Sequence, residues 1–470
     1  MDLTRLREIA RGRRPAVAGD AAAEEPATPS VQARGADEPA VGRRELAYEY
    51  VDRAASGHLP AADPDAWRQL EGSREVATPL GPCVVVDHVF EAEQFHGPAR
   101  VADHAVSSDA SLATLGRWGD RWASPDGRRP LEAACADPTR RIVFLDLETT
   151  GLSGGAGTVA FLVGCGYFED GAFKTLQFFL TNFSRERAML HAVSELLASA
   201  ACLVTYNGKS FDVPVMETRW LFQRMAVPID TVPHLDMLHL ARRFWRSDDE
   251  GDVQSCRLVA LERTLLGVHR VNDVHGFEVP GRYFDYVRGG HASLLEPVLL
   301  HNRLDLLSLA ALTARAQRLI RDGIDASVDP REWFAVGLLY ECEGRAEAAA
   351  CFSRVASSPM TSTPLRVDAW RRLARGYRRA RRFEEAASAW QEVLELAPSG
   401  GAAAEAREAL AVHFEHRRRD LAEAKRLAIQ SLQVASTPSR RDASSHRVAR
   451  LTRKLDRSRT DDARPQSLLD

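Results

Sequence analysis

The sequence predicts a mixed α/β sheet flanked by helices, followed by an all-α array of helical repeats. Three observations carry this reading. Residues 141–150, RIVFLDLETT, open with an apolar run at 142–145 of the kind that forms a strand buried on both faces. Two further apolar runs joined by the hairpin signal Asp170-Gly171, then a helical pattern and another buried run, ACLVTYNG, follow in order. Beyond Asp329 only helical periodicity remains, and Trp333 and Trp370 each open a similar unit.

The chain has 470 residues, enough for two or more domains, and 45% hydrophobic residues is ordinary for a globular protein. A net charge of -3 excludes a global field that would drive the chain onto nucleic acid or membrane, so any basic surface is local. The seven cysteines, at 83, 135, 165, 202, 256, 342 and 351, form no CxxC pair. That argues against a zinc module or a disulfide framework and fits a reducing compartment. No run of about 18 apolar residues exists, so no membrane span is expected. The N-terminus is charged and lacks an apolar signal core, which makes cytoplasm the expected location.

Taken in order, residues 1–42 are rich in Ala, Pro, Gly, Glu and Arg and poor in large apolar groups. Such a segment buries too little surface to offset its ordering entropy and is expected to be disordered. Residues 43–138 read as an accessory layer on the domain that follows, with a short helix at 44–55 and a strand at 78–90 containing CVVVDHVF. The main domain spans 139–325. After its first strand the glycines of 151–157 make a loop; TVAFLVGCGYFE and FKTLQFFLTN are the hairpin strands. Met189, Leu190, Val193, Leu196 and Leu197 sit at helical spacing in 184–200. ACLVTYNG runs into a helix over about 211–225, and further helices are expected at 255–267 and 294–321.

Residues 329–435 carry the repeats. Gly337, Tyr340, Gly344 and Ala349 in the first unit, and Leu373, Tyr377, Ala386, Trp390 and Pro398 in the second, match the tetratricopeptide pattern. The spacing between Trp333 and Trp370 is slightly longer than the ~34 residues of that pattern. A degenerate third unit runs over 402–435. The tail at 436–470 is polar and basic and is expected to be disordered.

Asp146 and Glu148 are separated by one residue, and positions i and i+2 of a strand face the same side. Two adjacent negative charges repel and are costly to bury, and a cation between them relieves both costs. Hard oxygen ligands of this kind suit magnesium or manganese. Asp212, in YNGKSFD, falls in the first turn of a helix just after a strand, where the dipole favours a carboxylate that can face the strand-end pair. His301 and Asp305, in HNRLD, lie at i and i+4 of an expected helix and share a face. That face offers a metal ligand and a group able to take a proton from water. Four acids around two divalent ions make a phosphoryl-transfer site: one ion lowers the pKa of the attacking water, the other stabilises the leaving 3′ oxygen.

DLETTGL, YNGKSFD and HNRLD, in this order, resemble the three exonuclease motifs of the DEDD, ribonuclease H-like superfamily. YNGKSFD is similar to the second motif of family B polymerase proofreading domains. LETTGLSGGAGTVAFLVG, YNGKSFDVP, HLDMLHLARRFW, SCRL and HNRLDLLSLAAL together resemble the YprB-type ribonuclease H-like domain over about residues 139–320. That domain is a predicted exonuclease often joined to tetratricopeptide repeats. The resemblance implies a ribonuclease H-like α/β fold and a 3′–5′ exonuclease acting on DNA or RNA with two divalent ions, Mg2+ or Mn2+. It implies Asp146, Glu148, Asp212 and Asp305 as metal ligands and His301 as the base or water-orienting group. The family's histidine subclass places four residues between His and Asp. Here there are three, the tyrosine-subclass spacing, so His301 stands where that subclass has tyrosine.

Other residues keep two readings. Asp236, in PHLDML, reads equally as support for the carboxylates or as a turn residue. Lys209 reads as a phosphate contact or a solvated side chain. The arginine run at 371, 372, 375, 378, 379, 381 and 382 reads as a solvated face or a guide for nucleic acid. The GKS at 208–210 is not a phosphate-binding loop, because Leu203 stands where that motif requires glycine. The expected function is a metal-dependent 3′–5′ exonuclease whose repeats recruit a protein partner or guide the strand. The alternative is a nucleic-acid-binding or scaffold protein with a weak or lost nuclease site, acting through its repeats. The four intact acids favour the enzyme; a structure-specific endonuclease with the same metals ranks third.

Overall fold

The computed structural model describes residues 65–120, 140–151, 157–246, 256–289, 291–434 and 437–462. The expected N-terminal disorder, the helix at 44–55 and most of the 151–157 loop lie outside the described residues. Two compact units divide the chain. One comprises the described residues up to His239 together with Arg257–Ala314; the other comprises those of Leu240–Cys256 and everything from Arg315 onward. The division falls at 314/315, earlier than the expected break at 325–329.

The first unit is built on a seven-stranded mixed sheet ordered β1-β2-β7-β6-β5-β8-β9. Its strands are β1 (Ser73–Thr78), β2 (Gly81–Phe90), β5 (Arg141–Thr149), β6 (Ala160–Glu169), β7 (Ala172–Phe179), β8 (Ala200–Thr205) and β9 (His234–Asp236). Phe95–His96 and Ala99–Arg100 form the separate small ribbon β3–β4. Pairing is antiparallel from β1 through β5 and parallel from β5 to β8 and β9. The β6–β7 turn has Asp170 at φ 53° and Gly171 at φ 81°. Positive φ at both positions is what a two-residue hairpin matching the strand twist requires, and Asp-Gly supplies it.

One expectation needs correction. The segment ahead of the core is not a layer laid on the sheet but part of it. The strand expected at 78–90 is β2, which makes a hairpin with the preceding β1 and pairs with β7 from Val84↔Phe179 to Phe90↔Phe173. Its run of buried residues at 83–86 is what a strand with neighbours on both sides needs.

The helices of this region are α1 (Ala110–Asp120), α2 (Glu186–Ala198), α3 (Asp212–Phe222), α4 (Met237–Phe244), the short α5 (Leu258–Leu261), α6 (Val279–Val287) and α7 (Glu296–Asp322). The helix expected at 255–267 is shorter: α5 gives way to a π-turn at Glu262–Leu266, which Gly267 ends at φ 63°. Val84, Val86, Val143, Leu145, Phe161 and Phe179 of the sheet share one buried cluster with Met189, Leu190 and Val193 of α2, Met216 and Trp220 of α3, and Tyr283 of α6. Arg219 ties α3 to α2 through both oxygens of Glu186, at 2.5 and 2.6 Å, and both side chains are buried.

The second unit is helical throughout. Its helices are α8 (Pro330–Cys342), α9 (Ala348–Ser357), α10 (Thr363–Arg379), α11 (Phe383–Leu396), α12 (Gly400–His413), α13 (Leu421–Gln433) and α14 (Pro438–Asp462). The first six form three consecutive pairs, as the repeat pattern requires. Gly337 shows why a glycine is needed there: a Cβ on it would lie 2.8 Å from Phe352 of α9.

One expectation for this region needs correction. The tail is not disordered over 438–462; it forms α14. Leu451 and Val448 pack with Ala424 and Ala428 of α13, while Arg450 and Lys454 reach Glu415, at 2.6 and 2.8 Å. Composition missed this because the partners lie on other helices. The arginine run is largely paired within the unit. Arg371 and Arg375 bind Glu405, Arg372 and Arg379 bind Glu341, and Arg382 binds Glu385. Three glutamates thus hold five of these arginines within the unit.

Candidate active site

The sheet opens where the acids stand. Pairing of β5 with β8 ends at Phe144↔Val204, whereas pairing with β6 continues through Asp146↔Gly164 and Glu148↔Leu162. Asp146 and Glu148 therefore lie past the last β8 pair, beside the point where β8 turns into the YNGKSFD loop. Both are half-buried.

That loop is set by Asp236. Its carboxylate accepts the backbone N–H groups of Asn207 (2.8 Å), Lys209 (3.0 Å) and Leu238 (3.0 Å). Asn207 is in the left-handed region at φ 64°, and a Cβ on Gly208 would sit 2.3 Å from Thr205 Oγ1. Asp236 is thus the structural support for the second motif. The loop delivers the buried Asp212 to the start of α3.

The third motif is anchored by a residue that sequence reasoning passed over. Asn302 of α7 is wholly buried. Its Nδ2 donates to Asp146 Oδ2 at 2.8 Å, and its Oδ1 accepts from Gln177 Nε2 at 2.8 Å. Gln177 Nε2 also donates to the Leu299 carbonyl at 2.8 Å, and its Oε1 accepts from Arg303 Nε at 2.7 Å. Gly164 makes room for this amide, since a Cβ there would lie 2.1 Å from Asn302 Oδ1.

His301 and Asp305 share a face of α7 as expected, with Nε2 3.7 Å from Asp305 Oδ2. Two unforeseen residues join them. Asp273 accepts from His301 Nδ1 at 2.7 Å. A carboxylate only accepts, so Nδ1 carries the proton and Nε2 keeps its lone pair when the ring is neutral. Arg270 has a side chain only 4% exposed. It binds both oxygens of Glu262 and one of Asp305, and its Nη1 lies 3.3 Å from both Asp273 Oδ2 and His301 Nδ1. A local signal for either residue was absent, because a lone Arg and a lone Asp in a loop are ordinary.

The carboxylates of the three motifs repel one another. Burial raises the Asp146 carboxyl well above its usual range, and Asp305 and Asp212 raise it further, against His301 and Asn302. Burial does the same to Glu148, with Asp146, Asp305, Asp212 and Asp273 adding to it. Asp212 is pushed up to about 7 by burial and Asp236, against the lowering effect of the Asp212 and Leu147 backbone N–H groups. On His301 burial pulls downward, but Asp305 and Asp273 outweigh it and the net shift is upward.

Among the described residues, no three His, Cys, Asp or Glu side chains close into a preformed metal cage. Asn302 occupies one oxygen of Asp146 and Arg270 one of Asp305. The donor chemistry nonetheless fits a hard divalent cation. All four motif donors are carboxylates, and with Glu262 and Asp273 they outnumber Arg270 and His301.

Residues 143–317 match the model of the RNase H superfamily, and residues 367–399 match a tetratricopeptide repeat. The uncharacterised protein YprB of Bacillus subtilis is 31% identical over 319 residues, which cover 67% of this chain and 75% of that protein. That identity and coverage place this chain in the YprB family, as an RNase H superfamily domain joined to tetratricopeptide-like repeats.

Proposed function

We propose that the protein is a metal-dependent 3′–5′ exonuclease that hydrolyses phosphodiester bonds of DNA or RNA. The observation that carries this reading is the convergence of three motifs at the C-terminal end of β5: Asp146 and Glu148 on β5, Asp212 at the start of α3, and His301 with Asp305 on α7. The match to the RNase H superfamily supports nuclease chemistry, and the motif order supports the exonuclease mode and its polarity.

Asp146, Glu148, Asp212 and Asp305 are the residues that would hold divalent metal. Metal bound there supplies a water of lowered pKa and charge stabilisation at the scissile phosphate. The chain's own groups do the rest. His301 Nε2, freed by the Asp273 hydrogen bond on Nδ1, takes the proton of the attacking water. Asn302 fixes the rotamer of Asp146, and Asp236 fixes the backbone that carries Asp212. The repeats supply a surface for a protein partner.

End-labelled single- and double-stranded DNA and RNA, with Mg2+ or Mn2+, test the reading. Stepwise release of mononucleotides from 3′ ends is expected. A closed circular substrate should resist. Its cleavage would make the protein an endonuclease, and no cleavage of any substrate would favour a scaffold acting through its repeats.

A further inference from the structure

We infer that Arg270 is a resident cation of the active site that stands in for one of the two metal ions, so that the chain binds a single divalent ion. This rests on the metal-dependent reading above and changes its ion count. The motif pattern pairs Asp305 with metal. Here one oxygen of Asp305 is held by Arg270 Nη2.

The arginine is not a passing surface side chain. Glu262, itself 1% exposed and outside all three motifs, grips the guanidinium with both oxygens from the π-turn that follows α5. Nη1 faces Asp273, at 3.3 Å. The fork is therefore held on three sides and cannot lose its charge.

An ion taking the Asp305 oxygen that Arg270 holds would have to expel the guanidinium and leave Glu262 buried without its partner, which is unfavourable, and the other oxygen faces His301 Nε2 at 3.7 Å. The remaining acids differ. Among the described residues, neither Glu148 nor Asp212 makes a hydrogen bond or ion pair to another side chain. The open positions are thus on the Asp146, Glu148 and Asp212 side, and the fixed positive charge is on the Asp305 side. Every strong donor of Arg270 is spent on carboxylates, so its role is charge compensation, not substrate binding.

Calorimetric titration of Mn2+ into the full-length protein tests this without an activity readout. One ion per chain is expected for the wild type, and two for Arg270→Gln. The paired variant Glu262→Gln with Arg270→Gln removes the buried pair as a unit, which guards against misfolding, and should also bind two. Two ions in the wild type would overturn the inference while keeping the metal reading. One ion in the wild type and still one in both variants would show that Arg270 does not hold the second position. No ion in the wild type would overturn the metal-dependent function itself, and this inference with it.

Discussion

The Asn302 side-chain amide bridges Asp146, at 2.8 Å from Nδ2, and Gln177, at 2.8 Å from Oδ1, and so joins α7 to two strands of the sheet. Replacing Asn302 with Ala leaves Gln177 and Asp146 short of a buried partner, a loss of ~1–3 kcal/mol. Asn302→Asp adds a carboxylate beside Asp146 and should be worse for both folding and rate. Gly164→Ala should mimic these changes, because its new Cβ would collide with the same amide. Thermal melts and cleavage rates on one oligonucleotide check all three; a Gly164→Ala protein with wild-type rate would dissociate the amide from catalysis.

The motif carboxylates themselves should be individually necessary. Asp146→Ala, Glu148→Ala, Asp212→Ala and Asp305→Ala should each lower turnover by ~10²-fold or more, on the scale of losing one charge-stabilising group. Folding should survive, because each change relieves mutual repulsion. Wild-type rates in any of them would remove that acid from the site.

His301 and Asp273 should behave as a pair. His301→Ala should slow turnover by ~10²–10⁴-fold with little change in metal affinity. Asp273 is one of the groups that raise the His301 pKa, so Asp273→Asn should move the acidic limb of the pH–rate profile to lower pH and reduce kcat while sparing KM. An unshifted limb would mean that Asp273 does not tune the ring.

Metal-free stability should fall as pH rises. The folded Asp212 carboxyl titrates at about 7 against an ordinary 3.8, so between those values the folded state holds a proton that the unfolded state has released. Stability then decreases with pH across that window. Asp146, Glu148 and His301 are all shifted upward and act in the same direction. After chelation the Tm should drop between about pH 5 and 8, Mn2+ should restore it, and Asp212→Asn should flatten the profile. A chelated wild type with a flat profile would contradict the assigned charge cluster.

The last helix should matter to the repeats. Ending the chain at Ser436 removes Leu451 and the partners of Glu415, whose carboxyl they hold down at about 2 despite its burial. Leu451→Ala should cost ~2 kcal/mol or more of the stability of that unit. The Glu415 contribution is present above its ordinary 4.5 and is lost as pH falls towards 2. Proteolysis of the tail at neutral pH, with and without Glu415→Gln, measures it.

What the sequence disclosed and what it withheld follow one rule. β5, the Asp170-Gly171 turn and Asp212 at a helix start were legible because their causes are local: apolar runs, turn chemistry and the helix dipole. Asn302, Gln177, Asp273 and Arg270 were not, because each gains its role from partners far along the chain; Asn302 and Asp146 are 156 positions apart. α14 failed the same way. Its polar composition argues for disorder, while Glu415 and a few small apolar groups on other helices give it a seat.

The β1–β2 hairpin also sets the order in which this protein can be completed during synthesis. Val84 leaves the ribosome long before Phe179, the residue it pairs with on β7. Until β6 and β7 emerge, the buried run at 83–86 has only β1 beside it. Closing so long a loop is slow relative to local helix formation. The nascent chain therefore carries an apolar strand in waiting through the whole of β5 and β6 translation. Chaperone demand should concentrate in that interval. A chain begun at Thr139 would escape the wait, but it would leave the edge of β7 bare for pairing with a second copy.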